Sequence, residues 1–296
     1  MRISIIGSGV VGETTGIGLR MKGNEVLFYD IDRIRLAALE RQGNKVTTDI
    51  FEAISNSDIS FVCVPTPTVK MHMDFSFLRS ATINIAKALR KMRRYHVTVI
   101  RSTVLPSTTQ RKIIPLLQKY SKLEPRRDFG VCINPEFLRE KHALHDFMNP
   151  DRIVIGELDK ESGEGLERVY TSFSAPIIRT DLDSAEMIKY VSNLFLTTKI
   201  SFFNEIYMIC QELGFNADLI SETVSLDARI GKYGIYGGKP FDGKCLPKDL
   251  EAFISYAKSR KINPKLLEAV HHINKKIASC DSKVKRKREK RDRKEE

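Results

Sequence analysis

Residues 3–30 read ISIIGSGVVGETTGIGLRMKGNEVLFYD. Four β-prone residues, Ile3–Ile6, run into Gly7-Ser8-Gly9-Val10-Val11-Gly12; a helix-like stretch follows, and a second strand-like run, Val26–Tyr29, ends on Asp30. In that strand–turn–helix context G-x-G-x-x-G is a dinucleotide-binding fingerprint. The first glycine permits the tight turn, the second lets a pyrophosphate approach the backbone, and the third allows close helix packing. Val10 and Val11 sit inside the motif and belong to the same cofactor-binding set. Asp30, 18 residues after Gly12, is placed to hydrogen-bond ribose hydroxyls and repel a 2′-phosphate, which favours NAD over NADP. Arg33 and Arg35 lie close by and temper that preference. The alternative, a glycine turn without function, leaves the agreement of strand, motif, helix and acid unexplained.

Outward from this unit, apolar runs recur at Ile59–Val64, Val97–Ile100, Gly130–Ile133 and Ile153–Ile155, several separated by helix-like segments. That rhythm predicts a Rossmann-type α/β domain, a doubly wound parallel sheet wrapped by helices, over residues 1–180. A second regime begins near Asp181. From Ser184 to Leu213 there is neither Gly nor Pro, and apolar residues such as Met187, Ile188, Val191, Phe195, Ile200, Phe203, Ile206 and Cys210 fall on most faces. One long helix ending at Gly214 is expected. At ~1.5 Å per residue it would run about 45 Å, more than a small domain covers, so a homodimer through the 184–213 helix is the economical way to bury it. A shorter helix around Asp218–Ser225, a glycine-rich loop from Gly231 to Gly243, and helices near Pro247–Ser259 and Pro264–Ile277 complete an all-helical central and dimerisation domain over 181–278. No internal repeat is visible.

The formal charge is +12, which by itself would admit nucleic acid, a membrane surface or an anionic metabolite. Its distribution narrows the choice. Between Asp281 and Glu296 nine Lys/Arg face five Asp/Glu with almost no apolar residues, so residues 279–296 read as a basic, solvated tail, disordered or a frayed helix. The tail lacks aromatic residues for stacking, which argues against nucleic acid, and the excess spread over the body suits a phosphate-bearing substrate. Cys63, Cys132, Cys210, Cys245 and Cys280 are odd in number, show no metal-ligand spacing and follow no secretory leader, so no metal and a reducing cytoplasm are expected. No stretch approaches the roughly 18 uninterrupted apolar residues of a membrane span.

Three segments carry candidate chemistry. In Asn134-Pro135-Glu136-Phe137-Leu138-Arg139-Glu140, Pro135 is suited to the first position of a helix, which would put Glu136 and Glu140 on one helical face; the plain alternative is a solvated surface pair. Lys189 and Asn193, four apart on the long helix, project together among apolar neighbours. A buried lysine needs a partner or a job, and a structural ion pair is the plain alternative there. Cys245 follows the flexible loop and precedes a helix whose first turn follows Pro247, with Lys244 and Lys248 flanking it. A thiol so placed can become nucleophilic; inert packing is the alternative.

The order and wording of these segments resemble the UDP-glucose/GDP-mannose dehydrogenase family from Met1 to about Ile277. Matching stretches are the Gly7 motif, Val64–Pro67, Ser102–Val104, Asn134–Glu140, Pro150–Gly156, Lys189 with Asn193, Arg229-Ile230-Gly231, and Cys-Leu-Pro-Lys-Asp at Cys245–Asp249. The resemblance implies NAD-dependent four-electron oxidation of a nucleotide sugar's primary alcohol to a carboxylate, with UDP-glucose the family default, through a thiohemiacetal and thioester on Cys245. It implies oxyanion stabilisation by Lys189 and Asn193, a general base in Asp249 or Glu136, and Thr103 near the reacting group. It adds Arg35, Thr66, Thr103, Glu140 and Lys248 to the cofactor contacts, and assigns substrate binding to Glu136, Phe137, Leu138, Lys189, Asn193, Tyr233, Gly243 and Arg229, the last from the neighbouring subunit. Members of this family usually continue into a third domain that grips the nucleotide, and commonly carry a longer loop between Leu39 and Thr47 and a glycine where Asp242 stands. The expectation is therefore that a separate chain supplies that grip as a partner, or that binding is weak, or that the substrate is smaller. Two rival readings stand beside this one: a 3-hydroxyacid-type dehydrogenase with one hydride transfer, which the Cys245–Asp249 segment opposes, and a non-catalytic, partner-binding subunit.

Overall fold

The strands alternate their apolar residues between two faces, and both faces are covered. In the computed structural model, which describes residues 1–92, 94–243 and 245–279, β1 (Arg2–Ile6), β4 (Ile59–Val62) and β7 (Val97–Ile100) lie side by side. Ile3, Ile5, Ile59, Phe61, Val97 and Val99 point into one core, and Ile6, Val62 and Ile100 into the other. Strands buried on both sides read as unbroken apolar runs, which is why they were visible in the sequence. The first core is closed by α1 (Val10–Met21), α2 (Arg33–Arg41), α6 (Ala143–Met148) and α7 (Lys160–Val169). The second is closed by α3 (Ile50–Ser55), α4 (Ser76–Met92), α5 (Ile114–Ser121) and the start of α8 (Leu182–Leu213).

The sheet has eight strands in the order β10-β9-β8-β7-β4-β1-β2-β3, with β2 at Glu25–Tyr29, β3 at Lys45–Thr47, β8 at Gly130–Ile133, β9 at Ile153–Glu157 and β10 at Ile177–Asp181; the two-residue strands β5 (Thr68–Val69) and β6 (His72–Met73) lie outside it. From β3 through β8 every pairing is parallel, as expected. The expectation of a parallel sheet needs one correction: β9 runs antiparallel to β8, with Cys132 opposite Glu157, and β10 follows β9 in parallel. The chain leaves β8 through an extended segment, a 3-10 turn at Glu140–His142 and the short helix α6, and enters the edge from the opposite end. Chain order reverses between β1 and β4, so the loops after these strands diverge and open the crevice where such sheets take ligands.

The chain divides into two compact units, residues 1–67 with 73–189, and residues 68–72 with 190 onward. The second unit is built on the rest of α8, a helix of 32 residues that ends where Gly214 turns to φ +74°. With it go α9 (Ala217–Val224), α10 (Leu246–Ser259) and a helix over residues 265–279. Tyr190, Leu194, Phe203, Leu250, Ile254 and Val270 are buried in this unit, and Tyr190 stacks on Phe253 with centroids 5.4 Å apart. Val191, Phe195, Phe202, Ile209 and Leu213 are exposed along α8, and their spacings of four, seven, seven and four put them on one stripe. Within the single chain α8 is thus not covered on every side. The basic tail, Cys280 and Lys244 lie outside the described residues.

Candidate active site

The cofactor corner follows from local geometry. After β1, Gly7 takes φ +97° and its N–H bonds Tyr29 O at 2.9 Å. Gly9 then caps α1, whose first N–H groups, at Val10, Val11 and Gly12, have no intrahelical partner. A Cβ on Gly12 would lie 1.9 Å from the Gly7 carbonyl oxygen, so only glycine fits. Asp30 is buried; its Oδ2 accepts the Ser8 N–H at 2.6 Å and its Oδ1 the Asp32 N–H at 2.9 Å. A carboxylate offers about four acceptor positions, so ribose hydroxyls can still be received. Arg35 pairs with Asp32 at 3.3 Å, and its Nη1 stands 3.4 Å from where a Cβ on Gly9 would be. A Cβ-free cradle, open helix amides and a carboxylate at the second strand end fit a dinucleotide. On the neighbouring loops Thr66 Oγ1 donates to Thr103 O at 2.7 Å, and Ser102 Oγ to Val64 O at 2.6 Å. Thr66 and Thr103 are thereby tied together.

The segment after β8 corrects the helical expectation for Pro135. Residues 134–139 are not helical, because a residue before proline is kept out of the helical region and Asn134 is pinned: its Nδ2 donates to Val154 O at 2.8 Å and its N–H to Ile100 O at 3.0 Å. Glu136 and Glu140 therefore share no helical face. Glu140 is exposed at the start of the 3-10 turn, whereas Glu136 is buried. Lys189 Nζ donates to the Glu136 carbonyl at 2.7 Å and to its Oε1 at 2.9 Å, while Glu136 Oε2 takes the Leu138 N–H at 2.7 Å. Lysine and glutamate are 5% and 7% exposed, so each is the other's compensation. Burial pushes the Glu136 carboxyl up, but the charge of Lys189 and the Leu138 amide prevail and hold it below the usual carboxylate range. Phe137 lies beneath two cations, Arg152 at 4.0 Å and Lys189 at 5.6 Å from the ring centre.

In the second unit Asn193 Nδ2 donates to Asp249 Oδ2 at 2.7 Å, and Lys248 Nζ to Asp249 Oδ1 at 2.5 Å. Cys245 is the N-cap residue of α10 and is exposed; its carbonyl accepts the Asp249 N–H at 3.0 Å. Thr68 Oγ1 donates to Lys248 O at 3.0 Å. The loop before the thiol is docked on α8 by Asn204, which bonds Lys239 O and Gly238 N–H, and Lys199 Nζ holds the Ile230 and Gly231 carbonyls at 2.6 and 3.0 Å. Gly243 takes φ +79°. Arg229 stands apart from these groups, its side chain 90% exposed and paired with Asp227 at 2.5 Å; Tyr233 is likewise exposed.

Two buried groups escaped the sequence. Arg101 is 5% exposed and bonds Asn134 and Tyr170; next to Ser102 it had no signal to separate it from a surface arginine. Glu186 is 2% exposed, and burial raises its carboxyl to about 7. Its Oε1 takes the Thr109 N–H at 2.8 Å at the start of a π-helical turn, Thr109–Ile113. Its position three residues before Lys189, on the same helix, was the available hint.

The chain matches the NAD binding domain model of the UDP-glucose/GDP-mannose dehydrogenase family over residues 38–174 and that family's central domain model over residues 183–276. It is 38% identical to GDP-mannose 6-dehydrogenase of Pseudomonas putida, over 93% of this chain and 68% of that protein. It is also 38% identical to a UDP-glucose 6-dehydrogenase of Bacillus subtilis, over 93% and 63% of the two chains. A UDP-glucose dehydrogenase structure from Pyrobaculum islandicum superposes with a TM-score of 0.87 at 32% identity, covering 93% of this chain and 68% of that one. Among the described residues no helix is long and apolar enough to cross a membrane, and no cluster of metal-ligating side chains occurs. The glycine corner, the two-sided sheet and these matches together place this chain in the UDP-glucose/GDP-mannose dehydrogenase family, NAD-dependent oxidoreductases of nucleotide sugars.

Proposed function

We propose that this chain oxidises the primary alcohol of a nucleotide sugar to the carboxylate in two successive two-electron steps, with UDP-glucose as substrate and GDP-mannose as its rival. One observation carries the reading: two buried carboxylates, Glu136 and Asp249, are each paired with a residue of one turn of α8, Lys189 and Asn193, and Asp249 belongs to the helix that Cys245 caps. The Bacillus relative and the Pyrobaculum structure support the uridine sugar; the Pseudomonas relative supports the guanosine one.

NAD, when bound, accepts the hydride that each oxidation releases. Asp249, or Glu136 through a water, takes the hydroxyl proton while the first hydride leaves the carbon, giving an aldehyde. The Cys245 thiolate then adds to the aldehyde carbon, and the S–C bond forms as the carbonyl oxygen becomes an oxyanion. Lys189 and Asn193 are the donors to that oxygen. Once the second hydride has left the same carbon, the sugar is a thioester of Cys245. After the carboxylate base has passed its first proton to solvent, a water gives it a proton and attacks the thioester, the C–S bond breaks, and the thiolate departs as the acid is released. Thr66, Thr103, Glu140 and Lys248 are proposed cofactor contacts, and Phe137, Leu138, Tyr233 and Gly243 substrate contacts. We assign the apolar stripe of α8 to a second copy of this chain, with Arg229 reaching a substrate phosphate of that copy.

The test is to incubate the protein with NAD and each sugar nucleotide and count NADH formed per sugar consumed. Two NADH per sugar supports the thioester route, one points to a single-hydride alcohol dehydrogenase, and no turnover with either sugar overturns the reading. Cys245→Ser should halt the reaction before the acid forms; full oxidation by that variant removes the thiol from the mechanism.

A further inference from the structure

Arg101 is a buried cation for which the reaction outlined above has no use. It follows β7, its N–H bonded to Val62 O at 3.0 Å. Its Nη1 donates to the Asn134 side-chain oxygen, to Asn134 O at 3.3 Å and to Tyr170 Oη at 3.3 Å. The Tyr170 hydroxyl donates in turn to the same Asn134 oxygen at 2.6 Å. Its guanidinium lies 5.4 Å from the centre of the Phe147 ring, and that ring fills the space beside Gly18 of α1, where a Cβ would come within 2.2 Å. Arg101 Nε is buried with no partner, and among the described residues Arg101 makes no ion pair. Burying a guanidinium without a counter-charge is costly. A structural arginine at this place could be a leucine or methionine at less expense.

The carboxylate that Arg101 acts on through space is Glu136, whose direct ion-pair partner is Lys189. Arg101 and Lys189 both act to hold that carboxylate ionised, the lysine by contact and the arginine through space. Among the described residues two further titratable groups lie in this neighbourhood, and burial keeps both neutral: it pushes the Cys63 thiol up to about 12 and raises the Tyr170 hydroxyl above its ordinary value. The Leu138 amide is a further donor on the carboxylate, and Arg152 lies over the adjoining Phe137 ring. Arg101 thus stands in the layer that packs under α1, the helix of the glycine corner, and grips the residue two before Glu136.

We propose that Arg101 is a positioning residue of the reaction: it clamps Asn134 so that the carbonyl and carboxylate of Glu136 meet Lys189, and it forms the second cationic wall of that carboxylate. The inference rests on reading Glu136 as a reacting carboxylate. It is tested on the full chain labelled with carboxyl-13C glutamate, the Glu136 signal being assigned by its loss in Glu136→Gln. In Arg101→Gln the titration midpoint of Glu136 should rise by about one pH unit, and kcat at neutral pH should fall about 10- to 100-fold while KM for NAD stays within about twofold. Arg101→Lys, which keeps the charge, should hold the midpoint near that of the unaltered protein and restore part of kcat. An unmoved midpoint in Arg101→Gln, or Arg101→Lys as impaired as Arg101→Gln, overturns the proposal. Should Arg101→Gln fail to fold, Tyr170→Phe decides: the clamp is loosened and the charge kept, so kcat should fall about three- to tenfold at an unmoved midpoint, and an unchanged kcat overturns the proposal. If Glu136→Gln keeps full activity while the midpoint still moves in Arg101→Gln, the catalytic reading of Glu136 fails and the Arg101 contact survives.

Discussion

Asn193 gives its amide to Asp249 across 2.7 Å in a place where the carboxylate is only 1% exposed. Removing that donor leaves a buried carboxylate oxygen unsatisfied. Asn193→Leu should therefore cost about 2 kcal/mol of folding stability and lower kcat by about 10²- to 10³-fold, the scale of a lost oxyanion donor. Urea unfolding alongside NADH assays checks both. A full kcat in a destabilised Asn193→Leu would reduce the residue to a structural prop.

Lys189→Met keeps the length of the side chain and leaves Glu136 as a buried charge without its partner. About 3–5 kcal/mol of stability should go. In Glu136→Gln the lysine keeps the Glu136 carbonyl and a neutral acceptor, so the loss should be smaller. The double variant Lys189→Met with Glu136→Gln should recover part of the stability lost by Lys189→Met alone and none of the activity. Equal melting curves for the two single variants would contradict the pairing.

Two buried groups in the first unit give opposite pH dependences over one interval. His96 is fully buried, bonded to Ser60 Oγ at 2.8 Å and to Ser57 O at 3.2 Å, and burial lowers it to about 4. Its folded value lies below its unfolded one, so its stabilisation is complete above about pH 6.5 and is lost as pH falls towards 4. Glu186, raised to about 7 by burial with Asp183 adding like charge, binds its proton more tightly folded than unfolded. Its contribution is complete below about pH 4.5 and is lost as pH rises through 7. Each effect is worth up to about 3 kcal/mol, and together they flatten the stability profile. Glu186→Gln should steepen the loss on acidification and raise the melting temperature at pH 8. Melting profiles that keep the same shape in Glu186→Gln would show that the buried carboxyl does not titrate in this interval.

The α8 stripe predicts a self-associating face. Replacing Phe195 and Phe202, 65% and 54% exposed, by glutamate should shift the sedimentation coefficient from dimer to monomer without unfolding the chain, since neither side chain is in a core. If Arg229 serves the neighbouring copy, the monomer should lose activity together with the contact. An unaltered protein that sediments as a monomer at micromolar concentration would refute both statements.

The cofactor corner and the central strands were legible because their signals are local: glycines where no Cβ fits and apolar runs sealed on both faces. β3 and β10 escaped, being edge strands of three and five residues in which only Thr47 is buried, so neither needs an unbroken apolar run. The reversal at β9 was hidden for another reason: strand direction depends on how the connection returns, which the apolar pattern does not record. Lys189 announced its need for a partner, but the partner lay 53 positions away. Pro135 suits a helix start by its own backbone angle, but its restraint on Asn134 prevails, and Glu136 lies on a non-helical segment.

Asp30 spends one bond at each oxygen on the protein's own backbone, at Ser8 and at Asp32. The acid thought of as a selector of dinucleotides is therefore also the buckle of the turn that receives them. Anyone wishing to retarget this protein to the phosphorylated dinucleotide would undo the turn by changing Asp30 before gaining any new selectivity. Arg35 and its partner Asp32, both on the exposed side of the corner, are the positions where preference can be altered and the loop kept.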